Sequence, residues 1–130
     1  MYVVPVTCST SVATWVRSIT APARMTPSFL ICGGQRCGTT SLYRALAAHP
    51  AVLKAVLHKG VHYFDVSYSR GMSWYKAHFP RQRHADRITE KYGVPAQTFE
   101  SSPYYMYHPQ AAARIAARQP GWWQLAGALR

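Results

Sequence analysis

The residue types and spacing with the clearest chemistry lie between Gly33 and Thr40, in Gly33-Gly34-Gln35-Arg36-Cys37-Gly38-Thr39-Thr40. Four residues separate Gly33 from Gly38, the glycine spacing of a Walker A loop. Glycine lets the backbone curl so that several N–H groups converge on one anion. A helix beginning after the loop adds its positive N-terminal end. Thr39 occupies the place where a nucleoside triphosphatase carries the lysine that reaches the β- and γ-phosphates. That substitution argues against ATP or GTP hydrolysis. Arg36, inside the loop, supplies positive charge instead. A glycine turn with no ligand is the plain alternative, and it accounts less well for glycines placed between a strand and a helix.

That order is itself read from the flanking residues. Phe29-Leu30-Ile31-Cys32 is a short apolar run closed by glycine, which predicts a buried parallel strand. Leu42, Ala45 and Leu46 recur at helical spacing, predicting a helix over Thr39–Ala48 that His49-Pro50 stops. A second apolar stretch runs from Ala51 to Leu57, and Gln97-Thr98-Phe99-Glu100 predicts a further strand. Met72 to Phe79 predicts a short helix closed by Pro80, with Trp74, Tyr75 and Phe79 packed in a core. Arg81 to Tyr92 is polar and basic and predicts an exposed connection containing at most a helical turn. Gln110 to Arg118 is alanine-rich with Pro109 at its start, predicting a helix, and Trp122 to Leu129 a last strand. Strands alternating with helices give an α/β fold, a P-loop-type parallel sheet flanked by helices. The expected division is an irregular N-terminal arm over residues 1–28 and one folded unit over 29–130.

Composition sets the outer bounds. The 130 residues allow one domain, and 15 Lys+Arg against 4 Asp+Glu give a net charge of +11 with His neutral. Such a surplus suits anionic partners, or simply a solvated basic face. Arg81, Arg83, Arg87 and Lys91 fit either an acidic polysaccharide or a solvated loop. The charges are scattered and no nucleic-acid motif is present, so no nucleic-acid partner is expected. Cys8, Cys32 and Cys37 form neither a disulfide framework nor a zinc pattern; reduced thiols in the cytoplasm are the expectation. No apolar run approaches the ~20 residues of a membrane span, and the N-terminus lacks the charged-then-apolar order of a secretory signal.

Gly33-x-x-Arg36-x-Gly38-Thr39-Thr40-Ser41-Leu42 resembles the 5′-phosphosulfate loop of sulfotransferases that use 3′-phosphoadenosine 5′-phosphosulfate. Val61-His62-Tyr63-Phe64-Asp65, with Gly71, Trp74-Tyr75 and Phe79-Pro80 after it, resembles the segment following the first helix in heparan-type and bacterial members. Glu100-Ser101-Ser102-Pro103-Tyr104-Tyr105 resembles their Glu-Lys-x-Pro-x-Tyr strand end. Together these motifs cover Phe29 to Arg118. The resemblance implies sulfuryl transfer from that donor to a hydroxyl or amine acceptor, a carbohydrate being one candidate, with no metal. It implies donor binding by Gly34, Gln35, Arg36, Cys37, Gly38, Thr39, Thr40 and Ser41, and acceptor-side roles for Asp65 and Glu100. Arg36 aligns with the family's loop lysine, and its forked guanidinium can reach the sulfuryl and bridging oxygens without giving up a proton as lysine can.

One departure falls at the catalytic base. The family pattern reads Glu-Val-His-Phe-Phe-Asp, and here Gly60 stands at the glutamate. His62 is therefore expected to be the base, with His58 as a substitute, because imidazole titrates near neutral pH. The family's 3′-phosphate site, an Arg and a Ser beyond a Leu-Arg-Asp-Pro-like turn, would follow Ala128-Leu129-Arg130. The resemblance thus implies the N-terminal half of the domain, a truncated product or fragment. The alternatives are a catalytically inactive sulfonucleotide-binding remnant and, less favoured, a P-loop kinase acting on a small molecule.

Overall fold

The computed structural model of the chain describes residues 8–34 and 36–118. Three short strands form a wholly parallel sheet: β1 (Phe29–Ile31), β2 (Val52–Lys54) and β3 (Gln97–Ser101), in the order β1-β3-β2. β3 pairs with both neighbours, Phe99 standing opposite Phe29 on one side and Lys54 on the other. Its central place explains why Thr98, Phe99, Glu100 and Ser101 are all buried. Parallel strands need crossovers, and helices supply them. α2 (Thr39–Ala47) follows β1; α3 (Met72–Lys76) and α4 (Gln82–Tyr92) lie between β2 and β3; α5 (Ala111–Arg118) follows β3. This is the α/β arrangement expected from the alternation of elements. Because the strands are parallel, their C-terminal ends share one edge, which is where open α/β sheets place ligands.

The core is aromatic. Tyr63, Phe64, Tyr75, Phe79 and Phe99 are fully buried. The Tyr63 and Tyr75 rings stack at 4.7 Å, while Phe64 and Phe79 meet Tyr75 edge-on at 5.3 and 5.1 Å. Tyr43 of α2 rests on Phe99, with 5.2 Å between ring centroids, fastening the helix after the glycine loop to the central strand. The packing expected of Tyr75 and Phe79 is therefore present, and Trp74 is packed at its margin.

Two stretches differ from their expected form. The segment is largely exposed, as expected, but Gln82–Tyr92 forms a full helix where at most a helical turn was expected. The helix buries Ala85 and half-buries Ile88 and Thr89, a narrow inward face among charged residues. What shapes it is its ends: Arg81 enters extended, and Gly93 closes it at φ 69°, the left-handed region that glycine adopts without strain. The irregular arm expected over 1–28 contains a helix, α1 (Cys8–Ser18), and a 3₁₀ turn at Ala21–Ala23. Its Ser, Thr and Val residues are weak helix formers, and the helix is fixed by tertiary contacts. Arg17 donates from Nε to the Ala77 carbonyl at 2.7 Å and from its guanidinium to Phe79 O at 3.3 Å. The strand expected over Trp122–Leu129 lies outside the described residues, as does Gln35 of the loop. Among the described residues no helix is long and apolar enough to cross a membrane.

Candidate active site at the C-terminal edge of the sheet

The glycine loop is built from backbone shape. Gly38, at φ 80°, leads directly into α2, and the Leu42 N–H returns to the Gly38 carbonyl at 3.0 Å. Upstream, the Cys37 N–H donates to the Gly34 carbonyl at 3.2 Å, closing a tight turn around Arg36. Gly34 is closely approached by side chains: a Cβ there would lie 2.8 Å from Cys37 Sγ and 3.0 Å from the Tyr107 hydroxyl oxygen. Arg36 sits at the exposed tip with φ 60°. Cys37 and Gly38 are exposed, Thr39 half-buried, and Thr40 and Ser41 exposed on the first turn of α2. The first-turn N–H groups of this helix have no intrahelical acceptors, an arrangement with the chemistry to receive an anion.

The second part of the site is held by one carboxylate. Glu100 is fully buried at the end of β3 and accepts from four donors. The Val61 N–H reaches Oε2 at 2.8 Å and the Ser102 hydroxyl reaches it at 2.8 Å. The Tyr75 and Tyr105 hydroxyls reach Oε1 at 2.6 and 3.0 Å. Burial raises the Glu100 pKa above the ordinary carboxylate value despite these donors. The Tyr105 oxygen also receives the Tyr63 N–H at 2.7 Å, and Ser102 Oγ receives the His62 N–H at 3.2 Å. Residues 61–63 are thus clamped, N–H by N–H, to the end of β3. Lys59 O completes the clamp by accepting from the Ser101 N–H at 2.9 Å.

Within this clamp His62 takes φ 54°. Arg36 and His62 are the two non-glycine residues with positive φ among the described residues. Side chains other than glycine enter that region at a cost that the surroundings must sustain, and functional sites are where such strain gathers. His62 Nδ1 lies 2.7 Å from Asp65 Oδ2. An ionised carboxylate only accepts, so Nδ1 carries the proton and Nε2 is left as the basic atom. The Asp65 hydrogen bond raises the His62 pKa above its ordinary value, burial opposing it. Burial pushes Asp65 up, but the His62 bond and the Val66 N–H outweigh it and hold the carboxyl below its ordinary range. The His62 side chain is 45% exposed while that of Asp65 is wholly enclosed.

A cleft of about 460 Å³ opens beside the ring, lined by His62, Pro103, Tyr104 and Tyr107. Tyr107 joins the two halves of the site, since its hydroxyl also stands against Gly34 of the loop. Gly60 is pressed onto β3: a Cβ on it would lie 2.6 Å from the Ser101 carbonyl oxygen, and 3.4 Å from His62 Nε2. The imidazole therefore borders the space in which a residue-60 side chain would begin. His58 is placed differently. It is exposed, its ring 6.0 Å from that of His78, and it does not line the His62 cleft. Asp65 and Glu100, expected on the acceptor side, both have enclosed carboxylates that face protein donors.

No family model matches the chain. Curated relatives do. The mouse bifunctional heparan sulfate N-deacetylase/N-sulfotransferase 4 is 31% identical over 99 residues, covering 72% of this chain and 10% of the relative. The human heparan sulfate glucosamine 3-O-sulfotransferase 6 is 33% identical over 97 residues, covering 75% of this chain and 25% of the relative. The chain belongs to the sulfotransferase family. It spans between a tenth and a quarter of the length of these two relatives.

Two residues of this candidate site escape a reading of the sequence alone. Lys59 Nζ donates to Thr40 Oγ1 at 3.0 Å across 19 positions, and Tyr107 reaches Gly34 from beyond β3. The available signal was topological: both follow strands parallel to β1, so both emerge at the edge that carries the glycine loop.

Proposed function

We propose that the chain binds 3′-phosphoadenosine 5′-phosphosulfate at the glycine loop and directs its sulfuryl group to a hydroxyl or amine, with His62 as the base. The observation that carries this reading is the Asp65–His62 pair, with Nδ1 held at 2.7 Å and Nε2 left free beside the cleft that Tyr107 shares with the loop. In the reaction the acceptor oxygen or nitrogen attacks sulfur, forming the new S–O or S–N bond. The bond from sulfur to the bridging phosphate oxygen breaks, and adenosine 3′,5′-bisphosphate departs with the bonding pair. The acceptor proton passes to His62 Nε2, and Asp65 stabilises the resulting imidazolium. Backbone N–H groups over Gly38–Ser41 and the Thr39 and Thr40 hydroxyls suit the 5′-phosphate, and Arg36 suits the charge growing on the leaving oxygens. Asp65 and Glu100 act here as positioning residues. Glu100 fixes the backbone that aims His62. The relatives' names point to a carbohydrate acceptor of the heparan sulfate kind.

A second reading, binding without turnover, is favoured by Gly60, which removes the carboxylate of the family pattern. Calorimetry with adenosine 3′,5′-bisphosphate, against ATP with magnesium, tests the donor class. Binding of the bisphosphate and not of ATP is the expected result, and the reverse selectivity overturns the proposal in favour of a kinase. Radiolabelled sulfate transfer to desulfated heparan-type acceptors then separates enzyme from remnant.

A further inference from the structure

Lys59 occupies an electrostatically unfavourable place. Its ammonium donates to Thr40 Oγ1 at 3.0 Å, on the first turn of α2, and lies 5.0 Å from the Tyr43 ring centroid. A helix N-terminus carries partial positive charge and repels a cation. Among the described residues the single ion pair within 4.0 Å is His62–Asp65, so no carboxylate neutralises Lys59 there. The residue has not drifted into this position by chance flexibility of its backbone, because its carbonyl is tied to the Ser101 N–H at 2.9 Å. The loop, meanwhile, carries Thr39 where a Walker loop carries lysine. A cation held against a helix N-terminus by a hydroxyl and the face of an aromatic ring, with no counter-charge, is stabilised once an anion joins both.

Resting on the donor-binding reading above, we infer that Lys59 supplies the loop's second cation. It reaches from the chain after β2 to donate from Nζ to the 5′-phosphosulfate group of the donor. Arg36 and Lys59 then flank the anion from opposite chain segments, one at the loop tip and one at the first turn of α2. Lys59 thus takes up, from the segment after β2, the duty of the lysine that Thr39 displaces.

The test is calorimetric titration of the full chain with 3′-phosphoadenosine 5′-phosphosulfate at low and high salt, for the wild type, Lys59→Met, Lys59→Gln and Lys59→Arg, alongside each variant's melting temperature. Loss of a charge-assisted hydrogen bond should weaken binding by about tenfold or more in Lys59→Met and Lys59→Gln. Their affinities should also depend less steeply on salt. Lys59→Arg should stay within about threefold of wild type, since the positive charge is kept. A purely structural lysine would shift the melting temperature and leave the salt dependence unchanged. If the wild type binds and both neutral variants bind within about twofold with an unchanged salt dependence, the inference fails and the donor-binding reading stands. If the wild type itself does not bind the donor, both fall.

Discussion

The glycine loop and the segment from Gly60 to Asp65 meet at the same edge of the sheet but are built in opposite ways. The loop is largely exposed, and its form comes from local backbone choices: the left-handed Gly38, the turn from Gly34 to Cys37, and the crowding at Gly34. The second segment has almost no local determinants. Its N–H groups are claimed one after another by Glu100, Ser102 and Tyr105, from 39 to 42 positions away. The anion receptor proposed for the loop needs open N–H groups, and the first turn of α2 supplies them because a helix start has no intrahelical acceptors. A proton acceptor needs a fixed direction, so it is assembled from buried bonds that leave a single ring nitrogen free. Binding and direction are thus separate properties of separate stretches, joined through Tyr107.

The largest effect that would break this contrast is on Glu100. Glu100→Ala leaves the Val61 N–H and the Tyr75 and Tyr105 hydroxyls without their acceptor in the core. Unfolding in denaturant should show a loss of about 3–5 kcal/mol, the cost of stranding buried partners of a charged group. A loss below about 1 kcal/mol would mean that the clamp does not hold the segment. Next comes Gly60→Ala, whose Cβ would collide with the Ser101 carbonyl at 2.6 Å. It should cost about 1–3 kcal/mol as the clamp is pushed apart. Any loss of donor affinity should come from displacement of the neighbouring Lys59, because the loop is a separate construction. Weaker donor binding that persists when Gly60→Ala is combined with Lys59→Met would show that the loop itself is coupled to the clamp.

The smallest effect sharpens the contrast through pH. Asp65 raises the His62 pKa, and only neutral imidazole can take the acceptor's proton. The transfer rate should therefore rise with pH through a value above the ordinary 6.5 of histidine. In Asp65→Asn that rise should move to lower pH, because the hydrogen bond to an ionised partner is gone. The stability sign runs the other way. A histidine whose folded pKa is raised contributes its full stabilisation below about 6.5 and loses it as pH climbs through the folded value. A titration of the His62 ring by NMR in both proteins checks the shift directly. An unmoved midpoint in Asp65→Asn would remove Asp65 from the account.

Local sequence carried the loop, β1 and α2, because their determinants are contiguous: an apolar run, glycines at a fixed interval, then helical spacing at Leu42, Ala45 and Leu46. The pairing of His62 with Asp65 was also near at hand, three positions apart. Glu100 was visible as part of a motif, but its burial was not, since its donors come from residues 61, 75, 102 and 105. Lys59 looked like one of 15 basic residues until the sheet brought it against Thr40. α4 went unread because its inward face, Ala85, Ile88 and Thr89, is narrow and set among charged residues.

The central claim is that donor binding belongs to the loop and proton removal to His62. It is tested most directly by measuring both in His62→Ala, with donor affinity by calorimetry and sulfate transfer from the radiolabelled donor. The account predicts donor affinity equal to wild type and transfer reduced by about a hundredfold or more, the contribution of a positioned general base. Transfer at the wild-type rate in His62→Ala would contradict it.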